Sequence, residues 1–426
     1  MAVTFVYFIL PTILLILGLP IFVVLILTST AAILFVAHVP LQVIQTNMFG
    51  SLDNFPLLAV PFFVLAGEIM GRGGIANRVV TWVVSIIGGV RGSLAVTTVA
   101  SSELFGAMAH TSVGTVVAIG RLLFPSLTKH GYSERFAVSL ITSSGAVAVI
   151  IPPSISMILY ALVAQVSAIK LFTAGILPSL LIGVVDAIYV VVYSHVKAVP
   201  LSSPARWKNI WASTKEASWA IGTIVVIFGG IYGGVFTPTE AAGVAVVYSL
   251  FVAMFIYREI DLPELWQVIV SSVYLIAQIL IIVTGAGVYS WLMTTSGIPQ
   301  SLIDQVTAMH LPHWLTLLFV NAGLLVAGSF LEPPAAILIL TPLLLPVVEA
   351  AGINAIHFGI IMAVNLSVGL YMPPFGLNLF AAKAIFNTPM GTIYRGVLPF
   401  VAVNFAALLV ITYVPAISMI LLKIGN

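Results

Sequence analysis

Two stretches of this chain place oxygen-bearing side chains where an apolar run is interrupted. Ser143, Ser144 and Gly145 precede the diproline Pro152-Pro153; Asn365, Ser367 and Gly369 precede the diproline Pro373-Pro374. The two diprolines lie 221 positions apart, and the same offset carries Leu122 to Pro125 onto Leu343 to Pro346 and Gly131 onto Gly352. Hydroxyl, amide and carbonyl oxygens are hard donors that serve an alkali-metal cation. A helix that starts inside a membrane offers unpaired amide hydrogens to an anion, and one that stops there offers bare carbonyls to a cation. The chemistry expected is therefore ion binding, with sodium the natural cation. On this reading Ser102 with Ser143, Ser144 and Gly145 forms one sodium site, and Gly328 with Asn365, Ser367 and Gly369 forms its counterpart, for two ions or more. Small and hydroxyl residues also let membrane helices pack closely. Their repetition at one offset beside a diproline favours the binding reading.

Composition fixes the solvent. Of 426 residues 61% are hydrophobic and 7% charged, with a mean hydropathy of +1.20. Soluble domains carry about 25% charged residues, so the chain is expected to be an all-α polytopic membrane protein in a lipid bilayer. A net charge of +2 says little about partners, and nucleic acid is not expected among them. The absence of cysteine excludes disulfides, thiolate metal sites and thiol nucleophiles. No lysine or arginine occurs before Arg72, so the start reads as a first membrane helix without the basic region of a cleaved signal.

Cation placement then orients the elements, because lysine and arginine mark the cytoplasmic side. The apolar run from Thr4 to Val36, with Pro11 and Gly18-Leu19-Pro20 inside it, predicts one bent crossing, followed by an external loop from His38 to Asn54 and a return ending at Arg72. Residues 79–90, between Arg78 and Arg91, reach roughly 18 Å as a helix, too short to cross a core of about 30 Å, and predict an interfacial arm. Residues 92–127 predict a re-entrant hairpin with its tip between Ser101 and Ser112, and residues 136–164 a crossing that contains the first break. A basic connector with Trp207 and Trp211 leads into an unpaired crossing, together residues 197–236. The second copy, residues 237–426, contains an arm at 298–309, a hairpin at 312–346 and a broken helix at 356–386. No lysine or arginine occurs from Glu259 to Ala382, whereas Arg91, Arg121 and Lys129 flank the first hairpin. The two hairpins are thus expected to enter from opposite sides, as an inverted repeat (residues 1–196, with scaffold helices in 1–71, against 237–426). Nine crossings and two hairpins follow, with the N-terminus cytoplasmic and the C-terminus external.

Three polar residues stand apart from the repeat. Glu332 at the second hairpin tip is expensive at membrane depth and functional by default. Asp186, within an apolar helix, either pairs with a polar neighbour or meets substrate. His110 and Ser112 raise the alternative of an intramembrane hydrolase, but no Gly-Xaa-Ser-Xaa-Gly elbow accompanies them. Gly233 to Glu240 reads as a tight turn in which Thr239 caps the next helix.

The segment Gly233 to Tyr248 (GGVFTPTEAAGVAVVY) resembles the signature of the large membrane subunit, DctM-like, of tripartite ATP-independent periplasmic (TRAP) transporters. Ile151 to Ile155 (IPPSI), Thr341 to Pro346 (TPLLLP) and His357 to Met362 (HFGIIM) resemble the family as well, across nearly the whole chain. The resemblance implies an elevator-type secondary transporter of the ion transporter superfamily in the bacterial inner membrane, driven by sodium. It implies two partners, a small four-helix membrane subunit and a periplasmic substrate-binding protein. Its cargo would be an organic acid of the sialic acid or C4-dicarboxylate kind, with a leaning toward the sialic acid branch. Thr111, Ser112, Ser154 and Glu332, at the converging breaks, are the expected substrate contacts. At the first hairpin tip the family often has Ser-Gly-Ser-Ser where this chain has Ala109-His110-Thr111-Ser112. A channel, or a single-subunit carboxylate carrier of the same superfamily, is the remaining alternative.

Overall fold

Helices make up every regular element; no strand occurs among the described residues, which in this computed structural model are 2–201 and 206–424. Five successive elements recur in the same order. The helix Phe55–Arg72, the arm Ile75–Ile86, the hairpin Ser93–Ala109 with Ser112–Lys129, the broken helix Glu134–Ile150 with Ile155–Ala164, and the helix Ala168–Val196 form the first set. Their counterparts are Leu262–Thr295, the arm Ile298–Ala308, the hairpin His313–Phe330 with Pro333–Ala350, the broken helix Ala355–Gly369 with Leu377–Phe386, and Met390–Tyr413. Between the sets lie Trp207–Tyr232 and Pro238–Ile256.

Local chemistry sets the ends of these helices. Ser133 caps the first broken helix by accepting from the Phe136 amide at 3.3 Å, and Asn354 caps the second by accepting from Ile356 at 2.9 Å. Each accepts from amides that the helix itself cannot satisfy. Both diprolines are cis and end the first half of their helices. Proline donates no amide hydrogen and forces its predecessor out of the helical region, so the helix must stop. The first broken helix bends by 40° there.

The core is built around these two helices. Every residue from Phe136 to Val147, and every residue from His357 to Gly369, is buried. Outer helices instead turn apolar side chains outward, as Val184, Ile188 and Val192 do at four-residue spacing along Ala168–Val196. That stripe is the lipid-facing side of a membrane helix. The hairpins cross over between the sets. Ser112–Lys129 packs on Leu377–Phe386, where Phe124 and Phe386 meet with ring centroids 4.7 Å apart. Pro333–Ala350 packs on Ile155–Ala164.

Several expectations need correction. The run from Thr4 to Val36 is two helices, Phe5–Ile16 and Ile21–Ala37. Gly18 takes φ +79°, and Pro20 has no amide to continue the ladder. The expected loop after it contains the helix Gln42–Leu52, which packs on Leu262–Thr295 where Gly287 leaves room for Ser51. The first arm begins at Ile75 and so includes Arg78, which pairs with Glu259 and lies 3.8 Å from the centre of the Tyr257 ring. Part of the basic connector, residues 202–205, lies outside the described residues; from Trp207 onward it is already helix, continuous with the crossing that follows. Thr237, not Thr239, caps the helix after the turn. Its hydroxyl accepts from the Glu240 amide at 3.3 Å while Glu240 accepts from the Thr237 amide at 2.8 Å. Seven helices among the described residues are long and apolar enough to cross a bilayer, or eight with the bent pair as one span, against the nine crossings expected. Three expected crossings drop out, because the first run is split, residues 370–376 separate the second broken helix into two short pieces, and Trp207–Tyr232 is too polar at its start; the two arms of the second hairpin are long and apolar enough to be counted in their place.

Candidate ion and substrate sites

The first hairpin turns on two residues only, His110 in the left-handed region at φ 55° and Thr111 extended at φ −126°. Ser101, Ser102 and Glu103, expected at the tip, lie inside its first arm instead; Ser102 sits about 10 Å along the helix from Ala109. Gly106 of that arm meets Ala148 at the end of the first broken half-helix, and a Cβ at 106 would fall 2.9 Å from the Ala148 carbonyl. Ser102 and Ser144 each lie one turn before this contact, on helices that pack together. Both hydroxyls are buried and neither has a hydrogen-bond partner. Ser143 differs, since its hydroxyl donates to the Ser139 carbonyl at 2.9 Å. Gly145 faces the second arm, with Val116 N 3.2 Å from where a Cβ would stand. The hairpin thus abuts the break at Gly106 and at Gly145, and of the four residues named for the first ion Ser102 and Ser144 hold unpartnered oxygens.

The second set is assembled more tightly. A Cβ on Gly369 would lie 2.5 Å from the carbonyl carbon of Gly328, so hairpin and broken helix touch backbone to backbone. Asn365 donates to Asn321 Oδ1 and to the Ile361 carbonyl at 3.0 Å, leaving its own Oδ1 buried and unpaired. Asn321 continues to Thr412 at 3.3 Å, and the Thr412 carbonyl meets His357 Nε2 at 3.2 Å. Ser367 donates to the Ala363 carbonyl at 2.9 Å. The second break is less bare than a stopped helix would be. Gly369 O accepts from Met372 N at 3.0 Å and Leu370 O from Asn378 N at 2.9 Å. A buried unpaired oxygen costs about 1–3 kcal/mol, which a bound cation would recover, and Ser102, Ser144 and Asn365 each carry one.

Among the expected substrate contacts, Ser154 donates to the Val149 carbonyl at 2.7 Å and so ties the two sides of the first break together. Thr111 does not cap the helix it precedes; its hydroxyl rests over Gly114. Ser112 donates to Asn378 Oδ1 at 3.0 Å, and Asn378 donates in turn to the Thr142 carbonyl at 3.4 Å. Glu332 is exposed at the second tip, without a capping bond and without an ion pair among the described residues. Two residues before it, Phe330 stacks on Phe375 of the second break, ring centroids 4.7 Å apart. A cavity of about 300 Å³ lies between Gln42–Leu52, Leu262–Thr295 and the second half of the first broken helix, with Ser51, Asn54, Gln165 and Ser290 in its walls. None of the four expected substrate residues lines it. Asp186 resolves as a polar pair, accepting from Asn404 Nδ2 at 2.9 Å. The hydrolase alternative loses its pairing, because Ser112 is bonded to Asn378 while the His110 ring stands edge-on to Phe63 with both nitrogens unpartnered.

Sequence reasoning passed over Asn378, Asn321 and Asn404. Each is an asparagine within an apolar helix, and that isolation was the available signal.

Helical hairpins facing broken helices, in two sets, form the architecture of a polytopic membrane transporter built on discontinuous helices. Residues 8–417 match the family described as "Tripartite ATP-independent periplasmic transporter, DctM component", and the chain belongs to that family. It is 38% identical over 395 residues to the C4-dicarboxylate TRAP transporter large permease protein of Pseudomonas aeruginosa, covering 93% of this chain and 92% of that one. It is 36% identical over 381 residues to the ectoine TRAP transporter large permease protein of Halomonas elongata, covering 89% of each. Its fold is similar to that in the crystal structure of the Alcanivorax borkumensis YdaH transporter, with a TM-score of 0.65 at 14% identity over 87% of this chain and 88% of that chain. The relatives are transporter permeases, not enzymes.

Proposed function

We propose that this chain is the translocating subunit of a sodium-driven importer whose cargo, an organic acid, is delivered by a periplasmic binding protein. The observation that carries the proposal is the set of unpaired, buried oxygens on Ser102, Ser144 and Asn365, each held where a hairpin abuts a break. Sodium bound there would order both hairpins around a carboxylate cargo placed between the tips, near Thr111, Ser112, Ser154 and Glu332. The hairpins and broken helices form one mobile body. Phe55–Arg72, Leu262–Thr295 and the two arms form a scaffold against which it slides, as an elevator, with the two copies in opposite orientation. A small four-helix subunit completes the scaffold in the bacterial inner membrane, with the N-terminus in the cytoplasm and the C-terminus in the periplasm. A relative named for C4-dicarboxylates makes those acids the first cargo to assay, and sialic acid the second.

The deciding experiment is uptake into proteoliposomes that contain both membrane subunits, with the loaded binding protein outside. Uptake should require the binding protein and an inward sodium gradient. Uptake indifferent to that gradient would sink the coupling, and uptake without the binding protein would point to a self-sufficient carrier.

A further inference from the structure

The first hairpin carries a carboxylate that the sites above do not use. Glu103 lies next to Ser102 but points to the helix Ala168–Val196, where its carboxylate rests on Gly183. A Cβ at 183 would collide with Oε1 and stand 2.7 Å from both Cδ and Oε2, so glycine is the residue that admits this contact. Asp186 is three residues further along and therefore on the same face of the helix.

Asp186 is 1% exposed and Asn404, on Met390–Tyr413, is fully buried. Asn404 Nδ2 donates to Asp186 Oδ1 at 2.9 Å and to the Phe400 carbonyl at 3.1 Å. That carbonyl also receives the phenol of Tyr371, from the second break, at 3.4 Å. The donors are thereby spent, while three oxygens remain without any partner: Glu103 Oε1, Asp186 Oδ2 and Asn404 Oδ1. No cationic side chain answers them, since the ion pairs among the described residues join Arg72 to Glu68 and Arg78 to Glu259. Buried, unpartnered oxygens on two carboxylates and an amide that converge on one face of Ala168–Val196 are costly at membrane depth unless a cation or a shared proton joins them.

We propose that Glu103, Asp186 and Asn404 form a further monovalent-cation site, for sodium, that clamps the first hairpin onto Ala168–Val196 and Met390–Tyr413. The donor set is all hard oxygen and includes formal negative charge, unlike the neutral hydroxyls and amides at the breaks. An ion there would bridge the first hairpin to the two helices that follow the broken helices and couple hairpin position to sodium occupancy. The inference rests on the sodium-coupled reading above, and it would raise the number of ions moved per cargo.

The test is equilibrium binding of radioactive sodium to the purified full-length chain in lipid nanodiscs, at constant ionic strength. Glu103→Gln and Asp186→Asn should each bind about one ion fewer per chain than the parent protein. Gly183→Ala, which keeps both acids but displaces Glu103, should do the same, and Ser144→Ala should remove a different ion. Monodisperse Glu103→Gln and Asp186→Asn proteins that bind as many ions as the parent would overturn the site and assign the cluster to a shared proton. Thallium soaked into the parent protein gives a readout independent of any variant. An anomalous peak between the three oxygens supports the site, and peaks confined to the breaks overturn it. A parent protein that binds no sodium at all overturns this site and the coupling together, whereas loss of this ion alone leaves the coupling standing.

Discussion

Ser112 Oγ donates to Asn378 Oδ1 at 3.0 Å, joining the tip of the first hairpin to the second half of the second broken helix. Asn378 is fully buried and passes the connection on to the Thr142 carbonyl of the first broken helix, at 3.4 Å. One amide therefore pins three elements drawn from both sets.

Asn378→Leu should destabilise the protein more than Ser112→Ala, because it removes both bonds that Asn378 makes across elements where the hydroxyl deletion removes one. About 0.5–1.5 kcal/mol is expected for each bond lost. Thermal unfolding in detergent, followed by tryptophan fluorescence, would rank the two. Equal stability of both variants and the parent protein would remove Asn378 as a pin.

Gly369→Ala and Gly328→Ala should disrupt the second hairpin, since the added methyl group meets backbone that has no rotamer to offer. A Cβ on Gly328 would lie 3.0 Å from Leu366 Cα. Overpacking of this kind costs typically about 1–3 kcal/mol. Gly391→Ala, where no atom stands within 4 Å, serves as the matched control and should keep parental uptake.

Ser144→Ala and Asn365→Ala each remove an unpaired oxygen from a junction without removing a hydrogen-bond acceptor used by the fold. The sodium concentration for half-maximal uptake should rise by about ten-fold, as loss of one ligand worth about 1.4 kcal/mol would give. Asn365→Ala should also lower stability, because Asn321 loses its donor. Unchanged sodium activation in both variants would count against both junctions as ion sites.

The stacked rings of Phe330 and Phe375 hold the second tip against the break. Such a pair is worth about 0.5–1.5 kcal/mol, so Phe375→Ala should open the tip roughly two- to ten-fold more often. The chain has no cysteine of its own, so Glu332→Cys provides a single reporter at the tip. Its labelling by a water-soluble maleimide should accelerate by that factor when Phe375→Ala is added. An unchanged rate would show that the stack does not hold the tip.

The residues that could be placed from sequence were those whose role is local. Pro152-Pro153 and Pro373-Pro374 fall in the middle of apolar runs, where a helix cannot continue through them, and the short intervals between Arg78, Arg91 and Arg121 admit an arm and a hairpin but no pair of crossings. What escaped depends on register between distant helices. Nothing near Asn378 tells that it faces Ser112 rather than its own repeat; the position at the same offset in the first copy is Met157, so the symmetry gives no hint. Glu103 was legible as a polar residue near a tip, yet its contact with Gly183 appears only when the hairpin is laid on Ala168–Val196. The split after Ile16 does have a local signal, since Gly18 and Pro20 fit two short helices as well as one long bent one.

The crossing over of the hairpins has a consequence for how the chain is made. Ile155–Ala164 packs on Pro333–Ala350, and Leu377–Phe386 packs on Ser112–Lys129, so each half supplies a wall that the other needs. A ribosome that has just completed Ala168–Val196 has inserted a half whose central helix still lacks part of its neighbours. The half must wait in the bilayer, for more than a hundred further residues, until the second hairpin emerges. Two separately expressed halves, cut within the linker before Trp207, should therefore rescue each other when made together and be degraded when made alone.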